Sequence, residues 1–231
     1  MLTAENLTLH YSGSQILYDI SMAARTGEVT CVMGTNGVGK TSLLKAISGT
    51  HPRSGGSLTL DGEVLPVLPP HAMAHRGVGY VPQGRMIFPL LTVQENLETA
   101  LACRARGDRV IQDEIFELFP VLREMKNRRG GDLSGGQQQQ LAIGRALITK
   151  PKLLLMDEPT EGIQPNIIQQ IGRVIRYLRD QGQMAIILVE QYFDFAFENA
   201  DMFYVLDRGR VSFRGTKAAL SREELARVFS V

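Results

Sequence analysis

Apolar positions along this chain follow two different periods. The runs 29–33 (VTCVM), 153–156 (LLLM), 185–189 (AIILV) and 202–206 (MFYVL) are short, rich in Val, Ile and Leu, and lack polar alternation. Such runs predict strands buried on both faces, as in a parallel sheet. Between them, 41–48, 137–147 and 166–180 carry a helical pattern. Strands alternating with helices predict an α/β fold with crossover connections. The amino-terminal part differs: Leu2, Leu7 and Leu9, then 57–60 ahead of Asp61-Gly62, predict antiparallel strands and tight turns. From 91 to 148 the pattern is helical without a strand signal, which predicts an inserted helical subdomain. Asp207-Arg208-Gly209-Arg210 reads as a turn entering an edge strand at 211–213. There is no internal repeat, and the tract 137–140 (QQQQ) is too short to count as low complexity. The expectation is one domain over 1–231, with 1–90 and 149–231 as the α/β core and its antiparallel part, and 91–148 as the helical subdomain.

Gly34, Thr35, Asn36, Gly37, Val38, Gly39, Lys40 and Thr41 fit the phosphate-loop pattern G-x-x-x-x-G-K-[ST], with Ser42 next in the following helix. An apolar strand runs into this segment and a helix leaves it. Glycines let the backbone curl so that successive N–H groups face phosphate oxygens, and the helix dipole adds to the attraction. Lys40 supplies charge for the β- and γ-phosphates, and the Thr41 hydroxyl can ligate Mg²⁺. The strand 153–156 ends in Asp157 and Glu158. A carboxylate at that end of a strand is where a Mg²⁺-linked acid belongs, which suits Asp157, and Glu158 is placed to take a proton from an attacking water. Ser134, Gly135, Gly136 and Gln137 open a helix, and this start is either a second anion site or an ordinary cap.

Composition narrows the function classes. The 231 residues have 44% apolar and 21% charged content and a net charge of +1, an ordinary soluble composition with no bias toward nucleic acid or anionic lipid. No apolar run reaches the roughly 18 residues of a membrane span. The start, with Glu5 and no basic cluster, is not a secretory signal, and two cysteines, Cys31 and Cys103, predict reduced thiols in the cytosol.

Together, the loop at 34–41, LSGGQ at 133–137 and LLLMDEP at 153–159 resemble the nucleotide-binding subunit of an ABC transporter, over essentially the whole chain. The resemblance implies a RecA-like P-loop NTPase core with an antiparallel β subdomain and a helical insert. It implies an ATPase with ATP and Mg²⁺, in which two subunits, alike or related, sandwich ATP so that Ser134 and Gly136 serve the partner's nucleotide. It makes Gln83, in YVPQ, the glutamine that senses Mg²⁺ or water and links the site to membrane subunits, and Tyr11 the aromatic that stacks on adenine. Partners would be permease subunits, a second ATPase subunit and, indirectly, a solute-binding protein, with the chain held at the inner face of the membrane. Met86, Ile87, Phe88 and Leu90 are either a permease-facing patch or subdomain core. A soluble ABC-type ATPase without a permease is the second class, but such proteins carry fused units, coiled coils or basic arms, and this chain has one unit. A module that gates without hydrolysing is opposed by Glu158.

Segments 80–97 and 158–165 resemble the branched-chain amino-acid and amide importer branch. Segments 113–122, 128–147 and 188–195 resemble the urea importer ATPase within it, so urea or a short amide is the expected solute and a branched-chain amino acid the alternative. Most of the family has a histidine after the strand that follows LLLMDEP. Here His10, His51, His71 and His75 all precede that strand, and Glu190-Gln191 fills the place. Gln191 can donate a neutral amide hydrogen bond to a phosphate, or stand as a buried structural amide.

Overall fold

The computed structural model describes residues 1–229. The chain opens with a hairpin of β1 (Leu2–Tyr11) and β2 (Ser14–Ala24), whose inward side chains Leu2, Leu7, Leu9, Leu17 and Ile20 are buried. Next, β3 (Val29–Met33) feeds through 34–39 into α1 (Lys40–Ser48). Then β4 (Gly55–Leu60), the expected turn at Asp61-Gly62 and β5 (Glu63–Leu65) complete a four-stranded antiparallel sheet in the order β2-β1-β4-β5. A short α2 (Pro70–His75) leads to β6 (Val78–Val81).

The segment that follows is helical, as expected. It holds α3 (Val93–Thr99), α4 (Asp113–Leu118), α5 (Pro120–Glu124) and α6 (Gly135–Ile148), with short 3-10 turns between them. Thr92 caps α3 through a reciprocal bond with Glu95, and Ser134 caps α6 in the same way with Gln137. That cap is why α6 starts at Gly135, ahead of the apolar pattern that announced it. Val93, Leu97, Ile115, Phe119, Leu122, Leu141 and Ile148 form the core of this part.

The α/β pattern then resumes with β7 (Leu153–Asp157), α7 (Pro165–Asp180), β8 (Ala185–Val189), α8 (Phe193–Asn199), β9 (Met202–Asp207), β10 (Arg210–Thr216) and α9 (Arg222–Phe229). The second sheet runs β10-β9-β3-β8-β7-β6, parallel except for the edge strand β10. Alternate residues of its strands enter different cores. Cys31, Leu154, Met156, Ile186 and Leu188 pack toward α6 and α7, whereas Val32, Leu153, Leu155, Ile187 and Val189 pack toward α1 and the antiparallel sheet. Burial of both faces explains the missing polar alternation. The Tyr204 hydroxyl of β9 accepts a bond from the Ala23 amide, tying the two sheets together. Among the described residues no helix is long and apolar enough to cross a membrane.

Candidate active site

The carboxyl ends of β3, β7 and β8 converge on one point. The loop 34–39 needs glycine where its chain is tightest. Gly34 has φ +152°, and a Cβ there would lie 2.5 Å from the Leu206 carbonyl oxygen. Gly39, at φ +106°, begins α1 without a side-chain cap, leaving the first amides of that helix free of intrahelical partners. Lys40 is 4% exposed. Its Nζ donates to the carbonyls of Gly34 (2.8 Å) and Thr35 (3.0 Å) and lies 3.5 Å from Glu158 Oε1.

Asp157 ends β7 and is fully buried. The Thr41 hydroxyl donates to its Oδ1 at 3.2 Å and the Tyr80 hydroxyl to its Oδ2 at 3.3 Å. Burial pushes the Asp157 carboxyl upward, against the pull of the Thr41 bond. Burial also pushes the Tyr80 phenol up, with Asp157 adding to it, so Tyr80 stays a donor. Glu158 takes the left-handed conformation, φ +47°, uncommon for a residue with a side chain. The Gln83 amide donates to Glu158 Oε2 (3.2 Å) and Glu161 Oε2 (3.0 Å). Gln191 Nε2 donates to Glu158 Oε1 (2.5 Å) and to Asn36 Oδ1 (2.6 Å). The structure thus brings Asn36, Lys40, Thr41, Gln83, Asp157, Glu158 and Gln191 into one network.

Tyr11 and the segment 134–137 lie outside this network. Tyr11 ends β1 half-buried, its ring centroid 4.3 Å from that of His51. Ser134, Gly135, Gly136 and Gln137 line a separate cleft with Gln140, Gln164 and Ile167. Among the described residues no hydrogen bond or ion pair joins 134–137 to the loop 34–42. Of the apolar quartet, Met86 (67%), Phe88 (47%) and Leu90 (79%) are exposed, while Ile87 packs on the core. Three members of the quartet therefore lie at the surface and one belongs to the core.

Three participants escaped the sequence reading. Tyr80 sits three positions before Gln83 on β6, and its partner is set only by the sheet. Arg85 donates to the Glu161 carbonyl and its guanidinium lies 3.1 Å from where a Cβ on Gly135 would fall, so it spans the space between the two clusters. Glu190 follows β8 and is 2% exposed. It carries the same signal as Asp157 and Glu158, an acid at the end of an apolar run.

No cluster of three or more His, Cys, Asp or Glu suited to a metal occurs among the described residues. Magnesium asks for less. It keeps waters and substrate oxygens and takes one or two protein oxygens. The Thr41 hydroxyl and Asp157 carboxylate, 3.2 Å apart beside the loop, fit that need.

A strand, a glycine loop and a helix aimed at one lysine, facing two acids at the next strand end, define an α/β protein of the nucleotide-hydrolysing class. Residues 17–161 match the family described as ABC transporter. BraG of Pseudomonas aeruginosa, a high-affinity branched-chain amino acid transport ATP-binding protein, is 42% identical over 95% of this chain and 94% of its own length. The probable branched-chain amino acid transport protein LivF of Archaeoglobus fulgidus is 38% identical over 97% and 95%. The lipopolysaccharide export ATP-binding protein LptB of Escherichia coli is 33% identical over 96% and 93%. A nucleotide-free ATP-binding cassette of an ABC transporter superposes with a TM-score of 0.85 and 26% identity, over 100% of this chain and 95% of that one. The chain belongs to the ABC transporter ATPase family, binds ATP and couples its hydrolysis to transport.

Proposed function

We propose that this chain is the ATPase subunit of an importer for branched-chain amino acids. The observation that carries this reading is the near full-length similarity to BraG and LivF, both described as branched-chain amino acid transport proteins. The urea expectation gives way to its alternative. None of the relatives described above is described as acting on urea, and part of what suggested it is core-forming sequence. Ile115, Phe119, Leu122, Leu188 and Phe195 are at most 4% exposed and serve this subunit's own packing. The test is uptake in proteoliposomes that hold this subunit, its cognate permeases and solute-binding protein, with ATP on the side of the subunit. ATP-dependent accumulation of labelled leucine with none of labelled urea is the expected result. Urea accumulation without leucine would overturn the assignment.

In this reading the loop 34–42 holds the phosphates of ATP. Lys40 moves its charge from the Gly34 and Thr35 carbonyls to the β- and γ-phosphates, a charge-assisted contact. Thr41 and Asp157 would hold Mg²⁺, which would neutralise phosphate charge, with Tyr80 and Gln83 beside them. Glu158 Oε1 and Oε2 are aimed by Gln191 and Gln83, and this carboxylate accepts the proton of the attacking water. Tyr11 stacks on the base. Ser134 and Gly136, away from this subunit's own loop, meet the ATP of a second subunit, while the exposed Met86, Phe88 and Leu90 face the permease.

Gln191 is neutral, so its contribution is that of a neutral hydrogen bond, about half a charge-assisted one. Gln191→Ala is expected to slow turnover by roughly tenfold or less, about 1.4 kcal/mol. The pH profile should keep its shape, because an amide does not titrate. ATPase rate against pH for the two proteins checks this, and a loss of thousands-fold would make Gln191 a principal catalytic group.

A further inference from the structure

We propose that Glu190 is a positioning residue for hydrolysis, its carboxylate fixing the loop that carries Glu158 against the turn that carries Gln191. This rests on the roles just proposed for those two residues.

Glu190 stands between two stretches of chain that have no covalent reason to keep a common register. Its Oε1 accepts from the Thr160 hydroxyl (2.8 Å) and the Thr160 amide (3.2 Å). Its Oε2 accepts from the amides of Gln191 (3.1 Å) and Tyr192 (3.3 Å). Thr160 lies two residues past Glu158. One oxygen therefore serves the Glu158 side and the other the Gln191 side. Across the same gap the Gln191 side chain donates to Glu158 Oε1. The Glu190 amide is itself bonded to the Val32 carbonyl of β3, so the clamp is anchored to the strand that leads into the phosphate loop.

Four donors and no cation hold this carboxylate, which burial pushes up against the pull of those hydrogen bonds. Among the described residues no Lys, Arg or His forms an ion pair with Glu190. The other titratable neighbour is the Cys31 thiol of β3, pushed up by burial and then by Glu190, and therefore neutral. A buried charge without a counter-ion is a costly way to hold two loops for stability alone, because well-packed neutral side chains do that at lower cost. Its particular merit is geometric. Only a carboxylate accepts on both oxygens at this reach. Glutamine would turn an NH₂ toward one pair of donors, and alanine would leave four donors unmatched.

The experiment compares steady-state ATPase kinetics, nucleotide affinity and melting temperature for wild type, Glu158→Gln, Gln191→Ala, Glu190→Gln and the double variant Glu190→Gln/Gln191→Ala. Glu190→Gln is expected to lower kcat by about 10–100-fold while KM and ATP affinity change by less than about threefold. If the two residues act through one geometry, the double variant should be within about threefold of Glu190→Gln alone. Losses that multiply, an unchanged kcat, or a shift in KM alone would overturn the proposal. Should Glu190→Gln fail to fold, Thr160→Val keeps the amide and removes only the hydroxyl, and is expected to lower kcat about threefold or more at constant KM. An unaltered kcat there would overturn it equally. Glu158→Gln separates the two levels of inference. An inactive Glu158→Gln beside a fully active Glu190→Gln removes the positioning role alone, and an active Glu158→Gln removes the assignment beneath it.

Discussion

Replacing Glu158 with glutamine should reduce turnover by about 10²–10⁴-fold, the span that a general base contributes. ATP binding should persist, because the substitution keeps the shape and leaves Lys40 and Thr41 in place. Three donors converge on this carboxylate: Gln83 Nε2, Gln191 Nε2 and, at 3.5 Å, Lys40 Nζ. An amide NH₂ meets at least one of these donor to donor, so local order should loosen as well as chemistry fail. Single-turnover phosphate release beside a fluorescent-nucleotide titration separates the two effects. Turnover within a few-fold of wild type would end the case for Glu158 as the base.

Lys40→Ala acts on the other half of the reaction. The lysine is buried and is the single cation of its loop, so its loss removes a charge-assisted contact to phosphate. Hydrogen bonds to charged groups are worth about 1.5–3 kcal/mol, and more than one phosphate oxygen is in play. ATP affinity should therefore fall by about 100-fold or more. Folding should suffer as well, because the buried Gly34 carbonyl loses a donor along with the Thr35 carbonyl. Titration with a fluorescent ATP analogue gives the affinity, and unaltered binding would mean that the loop does not hold the nucleotide.

Much of this architecture was legible because burial on two faces leaves a plain mark. The strands at 29–33, 153–157, 185–189 and 202–207 fall where unbroken apolar runs lie. β6 left no such mark, since Gly79 and the half-buried Tyr80 interrupt its short run, and Gly79 is there because Pro151 presses on the strand. β2 was also missed: only some of its side chains face the core, and its pairing with β1 shifts register. At the site, the loop, Asp157 and Glu158 were legible because each stands at the end of a strand or the start of a helix, and Gln191 because the family resemblance marks its place. Glu190 carries the same strand-end signal, but its contact with Thr160, thirty residues earlier in sequence, is set only by the fold. The urea expectation drew in part on core-forming residues such as Phe119, Leu122 and Leu188, and resemblance in such residues tracks packing rather than cargo.

β3 carries a consequence for biosynthesis. The strand that aims the phosphate loop is made early, at 29–33, yet its neighbours in the sheet are β8 and β9, at 185–189 and 202–207. At about 5–20 residues per second, the roughly 150 intervening residues occupy a ribosome for about 8–30 seconds. Through that interval both edges of β3 lack their partners, and the buried side chains Val29, Cys31, Val32 and Met33 have no sheet to join. The nascent chain therefore completes its nucleotide loop late, and it depends through much of its synthesis on whatever shields that apolar strand.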